Sequence, residues 1–221
     1  MNFPDGLLPP SWQWLAHLLF VAVLAWSVAA APWRRLRDNE QLHLFLGACV
    51  ALMLLWSIKT GIRPGLNFHL LGATVFTLMF GPWLAIMGLG VVLLGVTAYG
   101  LSGWESFSVN GLLMDVLPVM TSYLVYRLVD SKLPNHFFVY IFLNAFIGAA
   151  VAMALTGLVA TGLLVLAGAY TADYLTSNYL PYFLLMGWSE ALLSGMMLTL
   201  LVVYRPQWVA TFDDARYIRN K

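Results

Sequence analysis

His69, Asp115, Asn144 and Glu190 each stand inside a run of apolar residues. A polar side chain there is costly and faces a protein interior or a cavity rather than lipid. His69 opens the stretch FHLLGATVFTLMFGPW, residues 68–83, which contains no charged residue. An imidazole in that place either rests one ring nitrogen in headgroup water, the commoner fate of a lone histidine, or offers a lone pair to a divalent metal. Glu190, near the middle of its run, is either a proton carrier or a neutral acid bridging two helices, and the bridge is the plainer reading. Asp115 is either solvated at a frayed helix start or a buried hydrogen-bond acceptor. His17 and His43 have weaker claims, and His136 falls in a short polar loop where it is simply solvated. No Gly-x-Ser-x-Gly elbow, His-Glu-x-x-His pair or second cysteine is present, so the residues suit transport or binding better than enzymatic catalysis. Cys49, alone in an apolar stretch, reads as a small filler rather than a ligand.

The elements that must position these groups are membrane helices. The chain is 61% hydrophobic and 10% charged, against roughly 25% charged residues in a soluble domain. Mean hydropathy is +0.81. Apolar residues must therefore cover the exterior as well as the interior. A net charge of +1 gives no reason to expect a nucleic-acid partner. Apolar runs long enough to cross a bilayer predict an all-α integral membrane protein, a single bundle of about seven spans, at 12–32, 41–58, 66–80, 83–101, 108–128, 137–168 and 179–204. The third is short and is expected to start below the interface. The membrane domain would occupy 1–204 and a polar tail 205–221.

Charge orients the bundle. The first apolar run ends in Ala29-Ala30-Ala31, which resembles a signal-peptide cleavage site. However, nothing basic precedes the run, and Arg34, Arg35 and Arg37 follow it. That is the pattern of a retained helix with its N-terminus outside. This orientation puts nine of the 11 basic residues inside (Arg34, Arg35, Arg37, Arg127, Lys132, Arg205, Arg216, Arg219 and Lys221) and only Lys59 and Arg63 outside, as the positive-inside rule requires. The C-terminus is then cytoplasmic. Small residues at four-residue spacing, Gly148 and Ala152, Ala150 and Ala154, Gly157 and Thr161, predict close helix contacts.

Two stretches resemble a known family. The chain begins MNFPDGLLPPSWQW and later reads FHLLGATVFTLMFGPW. Together they resemble the CbiM/NikM family, the substrate-binding membrane subunits of energy-coupling-factor cobalt and nickel transporters. Members typically begin Met-His-Ile-Pro-Asp-Gly-Phe and carry His-Leu-Leu-Gly leading to Gly-Pro-Trp. VNGLLMDVLPV, with Asn110 and Met114, echoes a third motif more faintly. The resemblance implies a prokaryotic cytoplasmic-membrane protein. Its N-terminus would fold back into the bundle and bind nickel or cobalt as substrate. Partners would be membrane lipid, a transmembrane coupling subunit and cytoplasmic ATPases. It implies the Met1 amine, residue 2 and His69 as metal ligands, with Pro4, Asp5 and Gly6 shaping the inserted turn. Asp5, Asn67, Asn110, Asp115 and Glu190 would lie behind the ligands or line the pocket.

The departure from the family pattern is Asn2, which stands where the family has histidine and removes a strong nitrogen ligand. Two other functions fit the same sequence. One is a stand-alone proton-coupled carrier using Asp115 and Glu190. The other is an accessory membrane subunit that keeps the scaffold and has lost the metal.

Overall fold

The computed structural model describes residues 1–219; Asn220 and Lys221 lie outside the described residues. Five helices are long and apolar enough to cross a membrane: α1 (Pro10–Ala30), α2 (Asn39–Ser57), α5 (Phe107–Lys132), α6 (Phe137–Leu166) and α8 (Tyr182–Tyr204), of 21, 19, 26, 30 and 23 residues. Between α2 and α5 lie a hairpin of β1 (Thr60–Arg63) and β2 (Leu66–Phe68), then α3 (Ala73–Phe80) and α4 (Pro82–Ala98). A seven-residue helix, α7 (Ala172–Asn178), precedes α8.

Local chemistry sets these boundaries. Pro10 and Pro82 occupy first-turn positions of α1 and α4, where the missing N–H costs nothing. Asp38 caps α2 by accepting the Glu40 N–H at 3.1 Å. His136 is not merely solvated: its Nδ1 accepts the Phe138 N–H at 3.2 Å at the start of α6. The hairpin pairs Thr60 with Phe68 and Gly61 with Asn67 in antiparallel register.

The expected third span, 66–80, is helical only in part. Only 73–80 is helical, which is about 12 Å of helix. Residues 66–68 form β2, and 69–72 are a non-helical link whose last residue, Gly72 at φ +64, caps the start of the helix. That backbone favours glycine, and a Cβ there would stand 2.4 Å from Leu52 Cδ2. The apolar run is real, but half of it is strand and link.

α4 forms the centre of the bundle, with Leu84, Ala85, Ile86, Leu89, Val92 and Leu93 wholly buried. α1 and α2 turn most of their apolar surface outward, with Trp14, Leu18 and Leu54 among the exposed side chains. The small residues of α6 meet α8 closely. Gly187 packs on the Ala150 carbonyl, and Gly157 lies against the ring of Phe183. α5 and α6 each contain a π-helical stretch, Leu112–Val116 and Tyr140–Ile147.

The molecule has two ends. Met1–Pro9, the hairpin, the 99–106 link and α7 gather at one. The Trp33–Arg37 turn and the tail gather at the other. The tail is not free. The N–H groups of Ala210 and Thr211 donate to the carbonyls of Met79 and Leu78, at 2.9 and 3.2 Å. Arg216 pairs with Asp130 at 2.7 Å. Val209, Phe212 and Tyr217 join Leu78, Tyr140 and Leu198 in a separate apolar cluster.

A side chain at residue 157 should not be tolerated. Its Cβ would sit 2.2 Å from Phe183 Cγ. Gly157→Val is expected to cost about 1–3 kcal/mol by overpacking and to lower the thermal midpoint of the purified protein. Adding Phe183→Ala should restore part of the loss. An unchanged midpoint in Gly157→Val would mean that α6 and α8 do not pack this way.

Candidate metal centre

The N-terminal residues reach the interior without joining the β1–β2 ladder. Met1 and Phe3 are wholly buried, and Asn2 is nearly so. Buried peptide groups must find partners, and here two asparagine side chains supply them. Asn67, on β2, accepts the Asn2 N–H through Oδ1 at 2.9 Å and donates Nδ2–H to the Asn2 carbonyl at 3.0 Å. Asn110, in the first turns of α5, does the same for Phe3, at 2.8 and 3.0 Å. A carboxamide presents one donor and one acceptor side by side, as a peptide does, so each replaces a missing strand neighbour. The Ser106 hydroxyl donates to the Pro4 carbonyl at 3.0 Å. Asp5 anchors the next turn by accepting the N–H groups of Trp104 and Ser106, both at 3.2 Å.

The Met1 amine donates to the backbone carbonyl and to Oδ1 of Asn67. Burial, and secondarily the charge of Lys59, hold this amine well below its ordinary pKa. A neutral amine can make both bonds and still present a lone pair.

His69 completes the cluster. Its Nε2 lies 2.8 Å from Asn2 Oδ1, and its Nδ1 donates to the Leu70 carbonyl at 3.0 Å. An imidazole that donates through Nδ1 keeps its lone pair on Nε2. Two acceptors thus face each other, while Asn2 Nδ2 is buried without a hydrogen-bond partner. Either the carboxamide turns over or a cation lies between the two lone pairs. Among the described residues, no three His, Cys, Asp or Glu side chains converge. Any metal held here must be bound by the amine, the amides and His69.

The non-helical 69–72 link is held from behind. Glu190, in the middle of α8, accepts the N–H groups of Leu71 at 2.9 Å and Gly72 at 2.6 Å. Trp56 of α2 donates its indole N–H to the Leu71 carbonyl at 2.9 Å and sets its ring against His69, centroids 5.2 Å apart. Glu190 bridges elements, as the plainer reading of the sequence had it, but its partner is backbone rather than another helix side chain.

Asp115 belongs elsewhere. It is buried in the π-helical stretch of α5 against Gly90 of α4, and neither carboxylate oxygen has a hydrogen-bond partner. Asn144, in the π-helical stretch of α6, is likewise buried and unpartnered. His43 is exposed on α2, and His17 Nδ1 meets the Ser108 hydroxyl at 2.6 Å.

A family model described as the cobalt uptake substrate-specific transmembrane region, CbiM, matches residues 2–208. The chain belongs to the CbiM family. A putative fused nickel transport protein NikMN of Archaeoglobus fulgidus is 28% identical over 139 residues, 59% of this chain and 43% of that protein. The cobalt transport protein CbiM of Clostridium tetani is 26% identical over 134 residues, 60% of this chain and 55% of that protein. The matched part therefore spans only about half of each relative. Two crystal structures share the fold. One, a truncated transition metal transporter, has TM-score 0.77 at 21% identity, over 92% of this chain and 99% of its own. The other, a transition metal transporter, has TM-score 0.76 at 22% identity, over 91% and 92%. The CbiM match ends at residue 208, so Ala210 and Thr211, which bond to Met79 and Leu78, lie beyond it. With its apolar helices, this CbiM-family chain is a multi-pass membrane protein.

Sequence reading missed Trp56, Ser106 and Lys59. Trp56 carried a usable signal, since a tryptophan at a helix end needs a partner for its N–H. Lys59 had been used only for orientation.

Glu190→Gln keeps the size of the side chain but presents an N–H toward one of the two backbone N–H groups. Hydrogen exchange at the Leu71 and Gly72 amides should accelerate by about tenfold or more, the scale of a lost buried bond of about 1–3 kcal/mol. Unchanged exchange would mean that the link is held by other contacts.

Proposed function

We propose that this protein captures a divalent transition-metal ion, nickel or cobalt, at the outer face of a prokaryotic cytoplasmic membrane. It would act as the substrate-binding membrane component of an energy-coupling-factor transporter. The observation that carries the reading is the convergence of the Met1 amine, Asn2 and His69 Nε2 at the end of an inserted N-terminus. In a square-planar or octahedral shell with bonds of about 2.0 Å, neighbouring donors stand about 2.8 Å apart. The distance from Asn2 Oδ1 to His69 Nε2 is 2.8 Å. The Met1 amine closes a five-membered ring with the Asn2 peptide nitrogen, and that nitrogen closes a six-membered ring with Asn2 Oδ1. The peptide nitrogen must give up the proton it now donates to Asn67, and that proton leaves to water in the open cleft that Asn2 lines. Asn67, Asn110 and Asp5 hold the inserted segment, and Glu190 holds the link behind His69.

In this reading the chain crosses the membrane seven times. The five long helices and the 17-residue α4 make six crossings. β2 and the 69–72 link, continued by α3, make the seventh. The N-terminus is outside, and the bundle, 1–204, is followed by a cytoplasmic tail, 205–221. The nine-to-two division of basic residues supports this orientation. A transmembrane coupling subunit and cytoplasmic ATPases would supply the energy. The ligands are nitrogen and oxygen donors that exchange metal without redox chemistry, and none is placed to activate a bond, so no catalytic step is assigned.

The test is metal content per molecule, by mass spectrometry, on protein with a native untagged N-terminus. The parent should hold one equivalent of nickel or cobalt. His69→Ala, and a variant with glycine added before Met1 so that the amine becomes an amide, should each lose at least about tenfold in affinity. No metal in the parent would favour the accessory-subunit reading and sink this one.

The proton-coupled carrier retains one supporting observation, the unpartnered Asp115 carboxylate. It requires uptake without an ATPase that collapses with the proton gradient and in Asp115→Asn. Normal uptake by Asp115→Asn would end it.

A further inference from the structure

Above the candidate site an open cleft of ≈ 630 Å³ leads to the surface. Asn2 and Asn67 form its floor, and its walls are the β1–β2 hairpin and the 100–103 link. Two of its properties fit poorly with a bare metal ion as the visitor.

The first is charge. Lys59 and Arg63, the two basic residues at this end of the chain, both line the cleft. Lys59 reaches across it to donate to the Leu101 carbonyl. The guanidinium of Arg63 stacks on Tyr174, 4.6 Å from the ring centroid. The cleft's own carboxylate, Asp5, already accepts two backbone N–H groups. Among the described residues the ion pair at contact distance is Arg216 with Asp130, at the opposite end, so neither cleft cation is paired directly, and Lys59, Arg63 and Asp5 together leave the cleft with a net positive charge. A net positive charge at the mouth disfavours an aquated dication and favours an anion.

The second is size. Six waters at about 30 Å³ each make a hydrated ion of roughly 180 Å³. The cleft is more than three times larger and falls in the range that holds small organic ligands, about 300–1,000 Å³.

We propose that the metal arrives as an anionic carboxylate chelate, whose carboxylates lie between Lys59 and Arg63 while the ion is passed down to Met1, Asn2 and His69. This rests on the capture reading above. The transfer is a ligand exchange. The metal–carboxylate bonds break, bonds to the amine, the imidazole and the deprotonated Asn2 peptide nitrogen form, the peptide proton passes to water in the open cleft, and no electrons change hands. The released carboxylates stay anionic against the two side chains. Specificity for the complex then comes from the cleft, and the choice of metal from the donors beneath it.

The experiment uses the full chain with an untagged N-terminus in neutral phosphatidylcholine nanodiscs. It is incubated with labelled nickel and labelled citrate, whose one-to-one complex is anionic. The neutral bis-histidine nickel complex is the control, at equal free nickel. The parent should retain citrate and nickel in equal amounts and gain nothing from the histidine complex. Lys59→Gln with Arg63→Gln should lose citrate about tenfold, the effect of one or two partly screened charges, and bind bare nickel several-fold more tightly. Lys59→Arg should keep citrate. Arg63→Gln alone leaves the Lys59 bond to Leu101 in place and should lose citrate in part, which separates charge from folding. His69→Ala should lose nickel yet still hold citrate. Nickel bound without citrate, equally by the parent and the double variant, would overturn the chelate inference and leave metal capture standing. No nickel retained from any source would overturn both.

Discussion

Everything at the candidate site depends on burying the first three residues without a neighbouring strand. A buried peptide N–H or C=O without a partner costs about 1–3 kcal/mol, and this segment brings several. Asn67 and Asn110 resolve this by offering a peptide-like face on either side, one at residue 2 and the other at residue 3. The two asparagines come from elements that share nothing locally, a hairpin strand and the opening of a membrane helix. Replacing either by an apolar residue of similar size would leave both an N–H and a C=O unpaired. The N-terminus is therefore part of the fold, and the Met1 amine is delivered to the interior by the same bonds that stabilise it.

The link from His69 to Gly72 follows the same logic. Had the helix begun at residue 66, the Leu71 and Gly72 N–H groups would have been used in its own ladder, and His69 would have pointed where helical geometry dictated. Because the link is not helical, those two groups are free and Glu190 can accept both. A carboxylate in the middle of a membrane helix is expensive alone, and much less so when it accepts two buried N–H bonds. The indole of Trp56 takes the Leu71 carbonyl on the other side. His69 is thus fixed by three separate elements, β2, α2 and α8.

Much of the helical membrane architecture was legible because it rests on length and apolarity, which a sequence states directly. The 66–80 segment was misread for a physical reason. Hydropathy measures transfer to lipid and does not distinguish a helix from an extended strand buried among helices. Gly72 carried the distinguishing information, since a residue at positive φ cannot sit within a continuous helix, but a single glycine in an apolar run is not specific. The resemblance in the N-terminal and His-Leu-Leu-Gly stretches brought Met1, Asn2 and His69 to attention. The bracketing by Asn67 and Asn110 depends on long-range pairing that no spacing rule encodes. Asp115 and Glu190 looked alike in sequence, as acids within spans. The structure separates them by what surrounds each, two backbone amides for Glu190 and the bare backbone of Gly90 for Asp115.

α3 is the element where these constraints meet. It is too short to cross a bilayer alone, so both of its ends fall inside protein, where unpaired helix termini are costly. At the N-terminal end the preceding link is secured by Glu190. At the C-terminal end the carbonyls of Leu78 and Met79 accept the N–H groups of Thr211 and Ala210, and the Thr211 hydroxyl adds a third bond to Leu78. The tail therefore does for the bottom of α3 what α8 does for the top. A longer helix would need neither, but it would leave no room for a non-helical link and would turn His69 away from Asn2. The short helix, the buried glutamate and the folded-back tail are one solution to placing an imidazole beside an inserted N-terminus.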